Sequence, residues 1–136
     1  MIRLKCHVGM GASVQGIALV AEDDFSARYD LDRKRGVFSR PTHALAGQSY
    51  RDRILVFNTA KGGVASAWML HEMKASGIFP LAILFNRANT ILAQGGAFAD
   101  MAMCDRFEDG DVTRLIRTGD EVLVEPEQGL VTILNR

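Results

Sequence analysis

Short apolar runs recur along the chain, and segments with helical spacing separate them. The runs at 53–58, 81–85 and 101–105 are bounded by charged or small residues, which is typical of buried strands. Segments at 64–76 and 91–99 follow the first two runs and have the apolar spacing or the composition of helices. This alternation predicts a β-α-β-α-β unit around a parallel sheet.

The two ends of the chain carry a different pattern. Residues 2–8 and 16–21 are predicted strands, and the glycine-containing stretch between them is a turn by composition. Segments 121–125 and 130–134 flank a Pro-Glu-Gln-Gly turn and predict a hairpin. The whole order predicts an α/β fold of two layers of strands and one of helices. Its parallel central sheet has helices on one side and an antiparallel sheet on the other.

The two predicted helices differ in what they bury. The first has most of one face formed by the apolar residues Val64, Trp68, Leu70, Met73 and Ala75. Gly77 is a plausible C-terminal stop for it. The second contains Gly95-Gly96, and each glycine costs about 1 kcal/mol of helix propensity relative to alanine. A helix with that penalty often has something packed tightly against its backbone.

Composition bounds the function. A chain of 136 residues with 48% hydrophobic residues is long enough for one domain, predicted over residues 1–136. Sixteen basic residues balance sixteen acidic ones, so charge gives no reason to expect nucleic acid or an anionic membrane as partner. No apolar run reaches the length of a membrane span.

Cysteine usage indicates a reducing compartment. Cys6 and Cys104 lie far apart in the sequence and no signal peptide is visible, so we expect a cytoplasmic protein with two unpaired thiols. Two cysteines cannot build a four-thiolate site, and the three histidines have no metal-ligand spacing. We therefore expect any metal to be held by another chain.

The turn after the first buried strand carries the clearest candidate chemistry. Lys61 stands where strand gives way to helix, and Gly62 and Gly63 let a ligand approach the backbone. The first N–H groups of the following helix attract anions. The segment from Lys61 to Ser66 is thus a candidate site for a carboxylate or phosphate, although any α/β domain also needs a flexible turn at this point.

Other motifs are less specific. Arg87 stands just past the second buried strand, at the edge where open α/β sheets bind ligands, and either an anion contact or a surface salt bridge suits it. His43 is either a site residue on a loop or an ordinary loop imidazole. The carboxylates between 22 and 40 alternate with basic residues and predict solvated surface. No Walker motif or complete dinucleotide fingerprint is present.

An ordered set of short motifs then suggests a family. The run from Gly36 to Asp105 resembles the small subunit, or swivel domain, of the aconitase X family. The matching pieces, in chain order, are His43-Ala44-Leu45-Ala46-Gly47-Gln48-Ser49, Lys61-Gly62-Gly63, Leu70-His71-Glu72-Met73, Pro80 and Ile91-Leu92-Ala93-Gln94-Gly95.

This resemblance implies a swivelling β/β/α domain and a hydro-lyase that is active only with a larger subunit. In the family, the small domain closes over the large one, which holds an iron–sulfur cluster through its own cysteines. The known activities are dehydration of cis-3-hydroxy-L-proline, taken here as the first expectation, and of phosphorylated mevalonate. Both substrates are carboxylates, which suits a lysine-bearing turn.

The resemblance also assigns roles. Lys61 would be the counter-charge to the substrate carboxylate. The serine that follows Lys-Gly in the family is Gly63 here, so Ser66 would replace it as a hydroxyl donor or proton-transfer group. Both Lys61 and Ser66 are expected to be catalytic. Another departure is Ala44, where the family has proline. The expected substrate-binding residues are Lys61, Gly62, Gly63, Ser66, His43, Ser49 and Arg87.

Two other functions remain open at this stage. One is a ligand-binding or regulatory module that uses the swivel fold without chemistry, because the family serine is absent. The other is a phosphohistidine-carrying swivel domain, which ranks last because it needs a reactive histidine at a helix start and His71 lies inside its helix. Co-purification with a larger, iron-containing chain would favour the hydro-lyase over both.

Overall fold

A computed structural model describes residues 1–27, 29–61 and 63–136. Gly62, which is predicted to bind substrate, therefore lies outside the described residues. Among the described residues no helix combines the length and apolarity that crossing a bilayer requires. The elements in chain order are β1 (Ile2–Lys5), β2 (Val14–Val20), β3 (Leu31–Asp32), β4 (Val37–Phe38), β5 (Arg53–Thr59), α1 (Val64–Ser76), β6 (Ala82–Arg87), α2 (Thr90–Phe98), β7 (Ala102–Cys104), α3 (Val112–Leu115), β8 (Glu121–Glu125) and β9 (Leu130–Asn135), with a 3₁₀ turn at Pro126–Gln128.

Seven strands form one mixed sheet in the order β1-β9-β8-β2-β5-β6-β7. The neighbours β2, β5, β6 and β7 are parallel, whereas β8 pairs antiparallel with β2, and β9 with both β8 and β1. The predicted α/β class and parallel centre are confirmed. The terminal strands extend this sheet rather than forming a layer of their own, and the second, antiparallel sheet is the short β3–β4 hairpin.

The hairpin belongs to a segment that covers one face of the sheet. Phe25, Leu31 and Phe38 in this segment are buried, and the Phe25 ring stacks on Phe57 of β5 at a centroid distance of 4.9 Å. The expectation that the carboxylates between 22 and 40 are solvated is wrong for Asp30, which is buried. Apolar residues spaced among the charges draw the whole segment onto the sheet, and the carboxylate goes with them.

Helices α1 and α2 pack on the same face, and α1 buries only part of its predicted apolar face. Its buried residues are Ser66, Leu70 and Met73, at the i, i+4, i+7 spacing of a core-facing stripe. Val64 and Trp68 are 62% and 57% exposed. The prediction failed for these two because α1 has a second apolar side, which runs along α2 at the surface.

The glycines of α2 serve close packing, as predicted. A Cβ on Gly95 would lie 2.6 Å from the Cβ of Ala67 in α1, closer than non-bonded carbons approach. The absence of that side chain lets the two helices touch through their backbones.

Candidate functional site

The corner between β5 and α1 lies at the carboxyl edge of the parallel strands, where open α/β sheets bind ligands. The Lys61 N–H donates to the Phe25 carbonyl at 2.7 Å. The segment before β3, to which Phe25 belongs, therefore fixes the backbone of the corner. The Lys61 side chain is 58% exposed, and its Nζ lies 3.7 Å from the Oδ2 of Asp24. The backbone is thus anchored while the ammonium group faces outward.

The N-terminus of α1 is open next to this lysine. Gly63 occupies the N-cap position, is exposed, and forms no side-chain capping hydrogen bond. By contrast, Asn89 caps α2 and Asp111 caps α3 through their side-chain oxygens. The first amides of a helix lack intrahelical acceptors and lie at its positive end. The α1 terminus and Lys61 together can therefore bind an anion.

Asp24 organises the corner, and the sequence interpretation missed it. Its Oδ1 accepts hydrogen bonds from the Thr59 hydroxyl at 2.7 Å, the Thr59 N–H at 3.2 Å and the Asn58 amide at 3.2 Å. The Thr59 hydroxyl bond is the main cause that holds the pKa of Asp24 below its usual value, and Lys61 adds to it. An ionised Asp24 therefore joins β5 to the preceding segment and holds the Lys61 side chain over the corner.

Ser66 lies behind the corner rather than on its open side. The residue is 1% exposed, and its hydroxyl lies 3.4 Å from that of Ser26. Ser26 is buried as well, and its N–H donates to the Oδ2 of Asp30 at 2.8 Å. The hydroxyl predicted to serve the substrate thus faces the interior.

His43 is also buried, with its ring stacked on Phe38 at 5.0 Å. The Leu45 N–H donates to its Nδ1 at 3.1 Å, so the proton of the neutral ring lies on Nε2. That Nε2 is 3.3 Å from the Asp24 carbonyl and 3.8 Å from the Asp30 carboxylate. The geometry fits an imidazole that pins a loop.

The two remaining predicted residues, Arg87 and Ser49, lie at opposite ends of the sheet strands. Arg87, the last residue of β6, is exposed, and its carbonyl accepts the Ala60 N–H at 3.2 Å, so it shares the edge with Lys61. Ser49 precedes the other end of β5, where its hydroxyl accepts the Arg51 N–H. A strand of seven residues spans about 20 Å. The structure therefore does not bring Ser49 to the corner.

Two asparagines at this edge were also missed. Asn86 of β6 donates to the Oδ1 of Asn58 at 3.1 Å and to the Oδ1 of Asp111 at 2.8 Å, and its own Oδ1 accepts the Val112 N–H at 2.8 Å. Each asparagine stands at the carboxyl end of a buried strand. The positional rule that selected Arg87 would have selected them as well.

The corner is an open surface rather than a pocket. Lys61 lines none of the four main cavities of the described part of the chain. The largest of them, about 680 Å³, lies between β3 and the end of α1 and is lined by both acidic and basic side chains, among them Asp32, Arg33 and Glu72. A ligand at Lys61 would therefore need a second surface to enclose it.

An apolar groove of about 280 Å³ begins beside the corner, between the exposed sides of α1 and α2. Val64 and Ile91, near the starts of the two helices, lie at one end of it. Trp68 and Phe98 follow along the groove with their rings 5.7 Å apart. None of the described residues that line this groove is charged.

An iron–sulfur cluster does not fit the residues of this chain. Such clusters are usually held by four cysteine thiolates, and the sequence has two. Across residues 1–27, 29–61 and 63–136, no three or more histidine, cysteine, aspartate or glutamate side chains form a group that could hold a metal ion.

Comparison with known proteins bears directly on this site. The aconitase X swivel domain family model matches residues 3–133. A phosphomevalonate dehydratase small subunit from Methanococcoides burtonii is 30% identical over 135 residues, covering 99% of this chain and 98% of that protein. One from Thermococcus sibiricus is 31% identical over 132 residues, covering 97% and 98%.

The fold agrees with the sequence match. The crystal structure of Thermococcus kodakaraensis aconitase X in its holo-form superposes with a TM-score of 0.91 at 27% identity, covering 99% of this chain and 100% of the other. The resemblance inferred from the motifs between Gly36 and Asp105 is therefore confirmed and extends over nearly the whole chain. The protein belongs to the aconitase X swivel-domain family.

Proposed function

We propose that this chain is the small subunit of an aconitase X-type dehydratase, which removes a hydroxyl group and a neighbouring proton from a small hydroxy acid as water. The observation that carries the proposal is an exposed lysine beside an uncapped helix N-terminus, in a chain that matches the family along nearly its full length. The corner binds the carboxylate of the substrate.

Phosphomevalonate is the preferred substrate in this proposal, ahead of cis-3-hydroxy-L-proline. Eight relatives that are 26–31% identical to this chain carry the name phosphomevalonate dehydratase small subunit. Phosphomevalonate carries a phosphate in addition to its carboxylate. Besides Lys61, two exposed arginines, Arg87 and Arg106, lie at the same edge of the sheet. Guanidinium groups bind phosphate through paired hydrogen bonds.

The large subunit holds the iron–sulfur cluster in this proposal. The relatives are named small subunits, which implies a larger partner, and the residues of this chain do not fit a cluster. The chain contributes binding, orientation and closure. When the domain closes, Lys61 and the α1 terminus fix one end of the acid and exclude water from it.

Ser66 has a positioning role in this proposal rather than the proton-transfer role expected from the resemblance. Its buried hydroxyl contacts Ser26, and Phe25 next to Ser26 accepts the Lys61 N–H. The serine pair therefore fixes the first turn of α1 against the segment before β3, which also accepts the Lys61 N–H.

The large subunit covers the apolar groove as well. The groove starts at Val64, the first residue of α1, directly beside the corner on which the partner closes. Burying its uncharged lining removes apolar surface from water without leaving a charge unpaired.

Reconstitution tests the proposal. The chain is co-expressed with the aconitase X large subunit of the same genome, and the complex is assayed with phosphomevalonate and with cis-3-hydroxy-L-proline. A brown, iron-containing complex that dehydrates phosphomevalonate is expected. Turnover of cis-3-hydroxy-L-proline alone would overturn the assignment of phosphomevalonate as substrate. A colourless monomer that never binds the large subunit would overturn the assignment as an enzyme subunit and favour a ligand-binding module.

A further inference from the structure

The fold brings together the two cysteines that the sequence predicts to be separate. The His7 N–H donates to the Asp105 carbonyl at 3.2 Å, and Met10 and Met103 pair as an antiparallel bridge. The segment that follows β1 therefore runs beside β7, which ends at Cys104. This places Cys6 near Cys104.

The two thiols lie in unequal environments. Cys104 is 2% exposed in the core, and its Sγ lies 3.1 Å from where Gly9 would carry a Cβ, so the sulfur faces the passing segment. Cys6 is half-buried and packs against the same cluster. The neighbouring Cys104 thiol is the main cause that lowers the pKa of Cys6, and the Cys6 thiol together with burial raises the pKa of Cys104.

We propose that Cys6 and Cys104 form an oxidisable dithiol, in which a hydroperoxide oxidises Cys6 and Cys104 resolves the product to a disulfide. The proposal is independent of the dehydratase function. Cys6 is the more accessible of the two sulfurs, and the thiolate is the reactive form of cysteine.

The reaction balances in two steps. The Cys6 thiolate attacks one oxygen of hydrogen peroxide and the O–O bond breaks, which leaves a sulfenic acid and, after uptake of a proton, water. Cys104 then loses its proton as its sulfur attacks the Cys6 sulfur. The S–O bond breaks, and the departing hydroxide takes that proton to form a second water. The two thiols lose two electrons and the peroxide gains them.

The local backbone suits this closure. An S–S bond is about 2.05 Å long, which is shorter than any non-bonded contact, so the two sulfurs must approach each other to form it. Residues 6–9 belong to no strand or helix. Single backbone hydrogen bonds from Cys6, His7 and Gly9 hold this segment. Closure therefore needs only a local shift toward β7, and the disulfide would join the segment after β1 to the end of β7.

Intact mass after peroxide treatment tests the dithiol. The full-length chain is exposed to hydrogen peroxide without added thiol, denatured, and treated with N-ethylmaleimide. The wild type is expected to stay monomeric, to lose two hydrogen atoms in mass and to take up no maleimide. Two maleimide adducts, a sulfinic acid on Cys6 or a covalent dimer would each overturn the proposal.

Single variants separate the two roles. Cys104→Ser should accumulate a sulfenic acid on Cys6 that dimedone traps, whereas Cys6→Ser should give no dimedone adduct and keep one free thiol. Equal dimedone labelling of both variants would contradict the assignment of Cys6 as the attacked sulfur. Melting of the wild type supplies a second readout, since a cross-link across a long loop should raise Tm over the reduced form, and an unchanged Tm would count against closure.

Discussion

Lys61 carries the charge that the proposed function needs, and it shares that charge with Asp24. The two groups are 3.7 Å apart and both are partly exposed. Ion pairs of this kind contribute only about 0–1 kcal/mol to stability. A substrate carboxylate can therefore take up the ammonium group at small cost, while Asp24 keeps its bonds to Thr59.

Removing the Asp24 carboxylate should loosen the corner. Asp24→Ala eliminates the bonds from Asn58 and Thr59, and we expect the free energy of unfolding at pH 7 to fall by about 1–2 kcal/mol. Urea denaturation of the variant and the wild type measures the difference.

The same difference should depend on pH. Because the folded pKa of Asp24 is depressed, the carboxylate stabilises the fold fully above its unfolded value near 3.8 and loses this effect as pH falls through the lower, folded pKa. The stability gap between wild type and Asp24→Ala should therefore narrow progressively below about pH 4. A gap that widens in acid would show that the carboxylate is not bonded in its ionised form.

Ser66→Ala distinguishes positioning from proton transfer. If the hydroxyl orients α1, the variant complex should show a higher KM, by about 3- to 10-fold, with a smaller change in kcat. The conservative variant Ser66→Thr should recover part of the loss. A fall in kcat of about 100-fold or more at unchanged KM would instead assign the proton-transfer step to Ser66.

At the residue scale, the sequence placed Lys61, Ser66 and Arg87 near the corner, but it did not show which way their side chains face. Lys61 and Arg87 are exposed as a binding role requires, whereas Ser66 and His43 point into the interior. The difference comes from the segment before β3, which covers both residues. Its burial depends on contacts such as Phe25 on Phe57, which join positions far apart in the sequence.

At the scale of elements, long runs were predictable and short ones were not. Strands β5 and β6 and helices α1 and α2 lie within a few residues of their predicted bounds. Strands β3 and β4 have two residues each, too few for any periodic pattern, and they form because the hairpin packs on the core. Helix α3 is a single turn, Val112–Leu115, which the Asp111 side chain caps.

Helix-to-helix contact gives a test with an internal control. Gly95→Ala places a methyl group 2.6–2.9 Å from Ala67, and we expect a loss of about 1–3 kcal/mol despite the gain in helix propensity. Gly96→Ala in the same helix meets the flexible Met103 side chain first, and we expect little change or a small gain in stability. Thermal melts of both variants measure this, and equal effects would contradict the tight α1–α2 contact.

At the scale of the whole molecule, the open edge and the apolar groove form a continuous surface. Trp68→Asp should weaken co-purification with the large subunit by about 10-fold or more, because a charge would be buried at the contact. Ile2→Asp is the matched control, since Ile2 is a similarly exposed apolar residue on β1 at the far edge of the sheet. Equal binding by both variants would place the contact elsewhere.

The most direct measurement is the steady-state kinetics of the reconstituted complex with Lys61→Ala, compared with Lys34→Ala on the β3–β4 turn. We expect Lys61→Ala to lower kcat/KM for the hydroxy acid by about 100-fold or more, a loss of about 2.7 kcal/mol in transition-state binding. Lys34→Ala should stay within about 2-fold of wild type. Near-normal turnover of Lys61→Ala in an intact complex would contradict the claim that this corner binds the acid.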